Sequence, residues 1–234
     1  MKVLGLDSSG LVAGVALIQD DVLIAEYTTN YKKTHSQTLL PMLDELRRMV
    51  DLDLKSIDLI AVAAGPGSFT GLRIGSATAK GLGLALDIPL AAVPTVDALA
   101  YNLYGCEQLI CPMMDARRGQ VYTGIYTFVN GEMQVIQEQC AISVEELVGR
   151  LKEECKKYGK KVVLLGDGVP VYREKVQEIL QGQCEFAPAS CNRQRAACVA
   201  VLGQSLAAAG KTVSSDDFAP EYLRMSQAER ERME

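Results

Sequence analysis

Apolar residues recur with two different periods along this chain, and the switching between them lays out its elements. Short apolar runs at 2–7, 12–18 and 22–28, separated by polar turns such as Gln19-Asp20-Asp21, predict three strands joined as a meander. Leu39, Leu40, Leu43, Leu46 and Val50 then fall at helical spacing. Thr34 and Gln37 ahead of them have the spacing of a capping box, while Pro41 removes one helical hydrogen bond. Residues 59–64 read as a buried strand, 68–86 as a helix opened by Ser68, and 96–104 as a further short helix.

The second half repeats the theme. Residues 109–114, 121–129 and 133–138 predict another meander, its last two strands meeting at the Asn130-Gly131-Glu132 turn. A helix over 143–158 opens on Ser143 and Glu146, a strand follows at 162–165, a helix at 171–180, and an alanine-rich helix at 194–209. The tail MSQAERERME, 225–234, is charged and is expected to fray. Two successive units of meander, helix, strand and helix predict an internally duplicated α/β fold. The boundary falls after Tyr104, giving subdomains 1–104 and 105–234, the second carrying the last helix and the tail.

Glycines at 65, 67, 71, 75, 81 and 83 crowd the stretch AVAAGPGSFTGLRIGSATAKGLGLAL, 61–86. A phosphate-binding Walker loop requires GxxxxGK[ST] and a dinucleotide fingerprint GxGxxG, and neither spacing occurs. Gly65 and Gly67 instead flank Pro66 in a turn where both can take positive φ. Inside the helix, each glycine costs about 0.8–1.0 kcal/mol relative to alanine, so a compensating interaction is needed. Gly71, Gly75, Ala79 and Gly83 are spaced four apart and form one smooth ridge. Such a ridge serves either close packing inside the chain or docking of a second subunit.

Composition narrows the chemistry. The chain has 234 residues, 48% of them hydrophobic, enough to bury a substantial core. Its net charge of -5 argues against a protein that grips nucleic acid alone. Seven scattered cysteines without a CxxC pair, and no signal peptide or membrane-spanning run, lead to the expectation of reduced thiols in a cytoplasmic protein. His35 is the single histidine, so HExxH and Ser-His-Asp constellations are ruled out by arithmetic. A polar residue at a helix start is the simpler account of it. Cys106 and Cys111 read as small buried residues.

An aspartate ends the first strand of each unit, Asp7 and Asp115, an order that resembles the actin, sugar-kinase and Hsp70 superfamily. Within it, AAGPGSFTGLRIG at 63–75, LGLDSS at 4–9, HSQTLLPMLDEL at 35–46, MDARRGQVY at 114–122, LLGDGVPVY at 164–172 and APEYLR at 219–224 resemble the TsaB (YeaZ) family across nearly the whole chain. The resemblance implies two RNase-H-like (actin-like ATPase) subdomains. It further implies a non-catalytic scaffold that docks a TsaD-like catalytic subunit, helps recruit a TsaE-like ATPase, and pairs with itself when alone. Threonylcarbamoyl transfer to adenosine 37 of tRNA would be carried out by the catalytic partner, with tRNA reached through the complex. By the same resemblance the docking surface comprises Gly71, Leu72, Gly75, Thr78, Ala79 and Gly83 on one helix and His35, Leu39 and Met42 on the preceding one.

Asp7, Ser8 and Ser9, with Gly166 and Gly168, stand where superfamily members hold metal and nucleotide. DARRGQ departs from the glycine-rich phosphate hairpin of the kinases, so a degenerate site is expected. No cofactor should bind strongly to this chain alone, with ATP or ADP and metal on the partner subunits. Catalytic relatives carry a His-x-x-x-His pair that aligns here with Thr95 and Leu99, neither a plausible ligand. This disfavours the alternative of a glycoprotease-like metallopeptidase, as the missing phosphate loops disfavour a small-molecule kinase.

Overall fold

Strand β1 (Lys2–Asp7) is buried from its second residue onward because it has neighbours on both sides: β2 (Ala13–Gln19) runs antiparallel to it and β4 (Leu59–Gly65) parallel. Adding β3 (Val22–Thr29) and β5 (Leu90–Pro94) gives a five-stranded mixed sheet of order β3-β2-β1-β4-β5. A second sheet has the corresponding plan. Here β6 (Leu109–Arg117) is central, β7 (Gln120–Val129) and β8 (Glu132–Ser143) follow it antiparallel, and β9 (Val162–Leu165) and β10 (Cys184–Phe186) lie parallel on its other side. The order is β10-β9-β6-β7-β8. The computed structural model describes residues 1–224, and the charged tail expected to fray lies outside them.

The buried β4 reads as a continuous apolar run, as a parallel strand covered on both faces must. One face carries α1 (His35–Met49) and α2 (Phe69–Leu86), whose Leu39, Leu43, Leu46 and Ala79 join Leu6, Ile60 and Val62 in one core. The other face carries α6 (Ala196–Ala208), where Val199 and Ala200 meet Val3, Ala61, Ala91 and Val93. Alanine richness in α6 follows from this close seat on the sheet. The second sheet has its own core under α4 (Val144–Tyr158) and α5 (Val169–Leu180), from Leu109, Cys111 and Leu164 to Leu147, Leu151 and Val176.

Two compact units result: Met1–Ala98 together with the chain from Gln194 onward, and Leu99–Arg193. Division after Tyr104 therefore gives way to an earlier boundary, inside the short helix α3 (Thr95–Tyr101), and α6 leaves the second unit for the first. The physical reason is the apolar face of α6, which finds its complement on the first sheet. Glu26 of β3 fastens its start, accepting from Ala197 N at 3.0 Å and pairing with Arg195. Beyond α6 the chain crosses the first sheet's edge, where Val213 exchanges two 2.9 Å backbone hydrogen bonds with Leu90. Phe218 then enters the core, 3% exposed.

Local signals fared unevenly. Ser143 Oγ caps α4 by accepting from Glu146 N at 3.1 Å, and Ser68 Oγ caps α2 by accepting from Gly71 N at 3.2 Å. Thr34 starts α1 without a side-chain cap, its hydroxyl lying 3.1 Å from that of Ser36 instead. Pro41 sits inside α1 on the exposed side, where water can serve the carbonyl it leaves free.

Candidate functional site

The glycine-rich junction of β4 and α2 gathers most of the residues singled out in the sequence. Gly65 has φ of +125°, and a side chain there would stand 2.1 Å from the backbone oxygen of Glu221. The strap of chain after α6 lies directly against this turn, with Glu221 N donating to Ala64 O at 2.7 Å. Gly67 keeps an ordinary φ, against the expectation of positive values at both glycines. It is a glycine for room: a Cβ would lie 2.3 Å from Ser9 O.

The ridge of α2 faces inward. Gly71, Leu72, Gly75, Ala79 and Gly83 are all buried within the unit. A Cβ on Gly71 would meet Ser8 O at 2.0 Å, one on Gly75 would meet Ser8 Oγ at 2.7 Å, and one on Gly83 would meet Leu90 and Ser215 side-chain atoms at 2.4 Å. The docking surface expected from these residues is corrected accordingly: the chain's own β1–β2 loop and strap occupy the ridge. Leu39 is likewise core, at 1% exposure. Thr78 and Met42 are half-buried, Met42 lining a shallow groove with Tyr31 and Thr38. His35 Nε2 donates to Gly10 O at 2.8 Å, tying the start of α1 to the loop after β1.

That loop holds the expected cofactor residues of the first unit. Asp7 is fully buried, and its Oδ1 accepts from Ser9 N at 2.8 Å and Ser9 Oγ at 2.6 Å. Burial pushes the Asp7 carboxyl above its ordinary range, and the Ser9 hydrogen bonds pull partly back. Ser8 Oγ donates to Gly71 O at 2.8 Å, and Ser68 N donates to Ser9 O at 2.7 Å. A phosphate cradle needs free amides and hydroxyls; here Ser9 N, Ser68 N, Gly71 N and the Ser8 hydroxyl already serve partners inside the unit. These four donors are therefore not free for a phosphate in this arrangement.

The second unit shows the same commitment. Gly168 N donates to Met113 O at 2.8 Å and Gly166 N to Asn192 O at 3.0 Å, while a Cβ on Gly166 would press on Met113 O at 2.2 Å. Both glycines let the β9–α5 turn sit on β6. Asp115 N donates to Asp167 Oδ1 at 3.1 Å, and burial raises the Asp167 carboxyl above its usual range. Thr95 Oγ1 accepts from Gly65 N at 3.1 Å, so the Thr95 hydroxyl supports the glycine turn. Among the described residues no three His, Cys, Asp or Glu side chains gather as metal ligands. Burial pushes the Cys111 and Cys198 thiols up to about 12, which removes them as nucleophiles at neutral pH.

What the sequence reading missed is the opposite face of α2. Thr70, Arg73, Ala77, Gly81 and Leu84 are exposed there, Gly81 has open space where a side chain would go, and Leu84 is 72% exposed. Leu40 of α1, packed in the same unit, is 54% exposed. At the N-terminal end of α2 the Arg73 guanidinium lies 4.0 Å over the Phe69 ring, and Phe69 stacks on Tyr222 with centroids 4.9 Å apart. Spacing gave both faces of α2 small residues, at 71, 75 and 79 and at 77 and 81, and periodicity alone could not rank them. Among the described residues no helix is long and apolar enough to cross a membrane.

Comparison with known proteins places the family and the fold. The family described as TsaD, tRNA N6-adenosine threonylcarbamoyltransferase, matches residues 22–232. A tRNA threonylcarbamoyladenosine biosynthesis protein TsaB of Bacillus subtilis (strain 168) is 35% identical over 98% of this chain and 96% of its own. Its namesake in Escherichia coli (strain K12) is 28% identical over 96% and 95%. The solved structure of YeaZ from Pseudomonas aeruginosa superposes with a TM-score of 0.75 at 26% identity, covering 95% of this chain and 99% of that one. A ROK hexokinase from Thermus thermophilus, at 15% identity and TM-score 0.50 over 88% and 99%, shares the fold. Each of the two mixed sheets with its helices thus has the RNase-H-like fold.

Proposed function

The chain belongs to the TsaB family of tRNA threonylcarbamoyladenosine biosynthesis proteins, and from that premise we propose that it is the non-catalytic scaffold of a threonylcarbamoyl-transfer complex. Its task is to dock a TsaD-like catalytic subunit through the outer faces of α1 and α2. The observation that carries this reading is the exposed small and apolar stripe of Ala77, Gly81 and Leu84 on α2, with Leu40 exposed on α1 of the same unit. Exposed apolar side chains around an open glycine let another helix approach closely, and burying them stabilises a complex by about 25 cal/mol per Å². The same stripe on a second copy would support a homodimer when the partner is missing.

Commitment of the Ser8, Ser9, Gly166 and Gly168 donors to internal hydrogen bonds supports placing nucleotide and metal on partner subunits. Transfer to adenosine 37 of tRNA would then occur in the TsaD-like subunit, with a TsaE-like ATPase recruited to the assembled pair. The test is co-elution of the chain with its TsaD-like partner on gel filtration. Leu84→Asp with Leu40→Asp is expected to abolish co-elution while leaving circular dichroism and melting temperature unchanged. Retained co-elution by a folded variant would move the docking surface elsewhere.

A further inference from the structure

Two tight hairpins in the second unit solve the same backbone problem with different residues. In each, a two-residue turn joins adjacent strands: Asn130-Gly131 between β7 and β8, closed by the Val129 and Glu132 pair, and Arg118-Gly119 between β6 and β7, closed by the Arg117 and Gln120 pair. Both turns need left-handed backbone at both central residues, with φ of +53° and +81° in the first and +56° and +72° in the second. Asn-Gly is the dipeptide such turns favour, because asparagine and glycine tolerate positive φ. Arginine does not share that tolerance. In the β6–β7 hairpin the preceding Arg117 is left-handed too, at +66°, so two successive arginines occupy a conformation that disfavours them.

Asp115 holds Arg117, but packing does not account for Arg118. Arg118 is exposed and has no hydrogen bond or ion pair among the described residues, the Arg117 side chain is 80% exposed, and Gly119 has open space around it. The backbone beneath is nonetheless held firmly. Asp115 Oδ1 accepts from Arg117 N at 2.9 Å and from the Tyr172 hydroxyl at 3.4 Å, and Val144 N donates to Gly119 O at 3.0 Å. Nearby carboxylates have cations of their own: Asp115 pairs with the Arg117 guanidinium at 3.3 Å, Glu145 with Lys175, and Glu146 with Arg150. Arg118 projects from a rigid tip with its charge unspent. Backbone strain retained at an exposed charged tip is a mark of function.

We infer that the Arg117–Arg118 tip is a contact for the phosphate backbone of the RNA substrate, an inference that rests on the tRNA-modification reading above. Guanidinium forks match phosphate oxygens in geometry and charge. A chain of net charge -5 repels RNA overall, so any contact it makes must be local and positively charged. The hairpin supplies such a point, with the register of the tip fixed by Asp115 and Tyr172.

The experiment measures anisotropy of an unmodified, labelled tRNA transcript on the complex of this chain with its TsaD-like partner, across a salt series. Wild type is compared with Arg118→Asn and with the double variant Arg117→Gln, Arg118→Asn. The double variant is expected to bind about tenfold more weakly, since a charge-assisted hydrogen bond contributes on the order of one such factor. Its salt slope should fall by about one for each phosphate that an arginine no longer neutralises. Arg118→Asn restores the dipeptide of the neighbouring hairpin and should melt at the same or a higher temperature. A purely structural role for Arg118 predicts a lower one. Unchanged affinity and slope would overturn the inference, and so would dissociation of the partner subunit from the variant, which would assign the arginines to a protein interface. Should the wild-type chain fail to join the partner, the docking reading falls, and the same series on the chain alone decides the inference.

Discussion

The β4–α2 junction of the first unit and the β9–α5 junction of the second occupy equivalent places in a duplicated plan, yet they pack by different means. Both use glycine in the turn, and at both the turn presses on a neighbouring backbone carbonyl: Ser9 O under Gly67, Met113 O under Gly166. After the turn they diverge. In α2 the inward face is glycine at 71, 75 and 83; Ser8 of the β1–β2 loop lies against the first two, and the side chains of Leu90 and Ser215 against the third. In α5 the inward face is Val169, Val176 and Leu180, and side chains fill the space. A glycine-lined helix can sit close enough to another chain segment to be clamped by its carbonyls, whereas an aliphatic helix stands off at side-chain distance. The first unit uses that closeness to hold the Asp7–Gly10 loop and the C-terminal strap on one turn.

Breaking the comparison on its stronger side should have the largest effect. Gly71→Ala places a methyl 2.0 Å from the Ser8 carbonyl oxygen. Backbone must move to relieve it, so a loss of about 3 kcal/mol or more is expected in urea unfolding. An unchanged midpoint would show that the loop yields freely. The matching change in the second unit, Gly168→Ala, meets Met113 O at 3.0 Å from a backbone already at φ of -73°. A smaller loss, about 1 kcal/mol, is expected by the same measurement. Equal costs would erase the distinction between the junctions. Gly81→Ala tests the outer face of α2, where nothing lies within 4 Å. Helix propensity predicts a gain of up to about 1 kcal/mol in the isolated chain. A loss there would mean that Gly81 is already packed against another molecule, such as a second copy.

Much of the architecture was legible beforehand because it depends on local pattern. Alternation and apolar runs gave the two meanders, and the strand at 162–165 matches β9 residue for residue. Ser68 and Ser143 announced their helices through short-range hydrogen bonds. The brief β10, three residues with only β9 beside it, carried too little pattern to be read. Membership of α6 in the first unit was invisible for another reason. Its faces are nearly uniform in small apolar residues, and which sheet receives them depends on contacts spanning most of the chain, such as Glu26 with Arg195.

By itself, the sequence determined the duplicated α/β plan, the lack of phosphate-loop spacing, the single histidine and the clustering of glycine on α2. These are properties of composition and short period, and they survive whatever the distant parts of the chain do. The tertiary structure alone decided which side of α2 is inside. A helix with small residues on two faces can be buried by either, and the choice was made by the Ser8 carbonyl, the Leu90 side chain and the strap at Ser215, which close on Gly71 and Gly83 from afar and leave Ala77, Gly81 and Leu84 in the open.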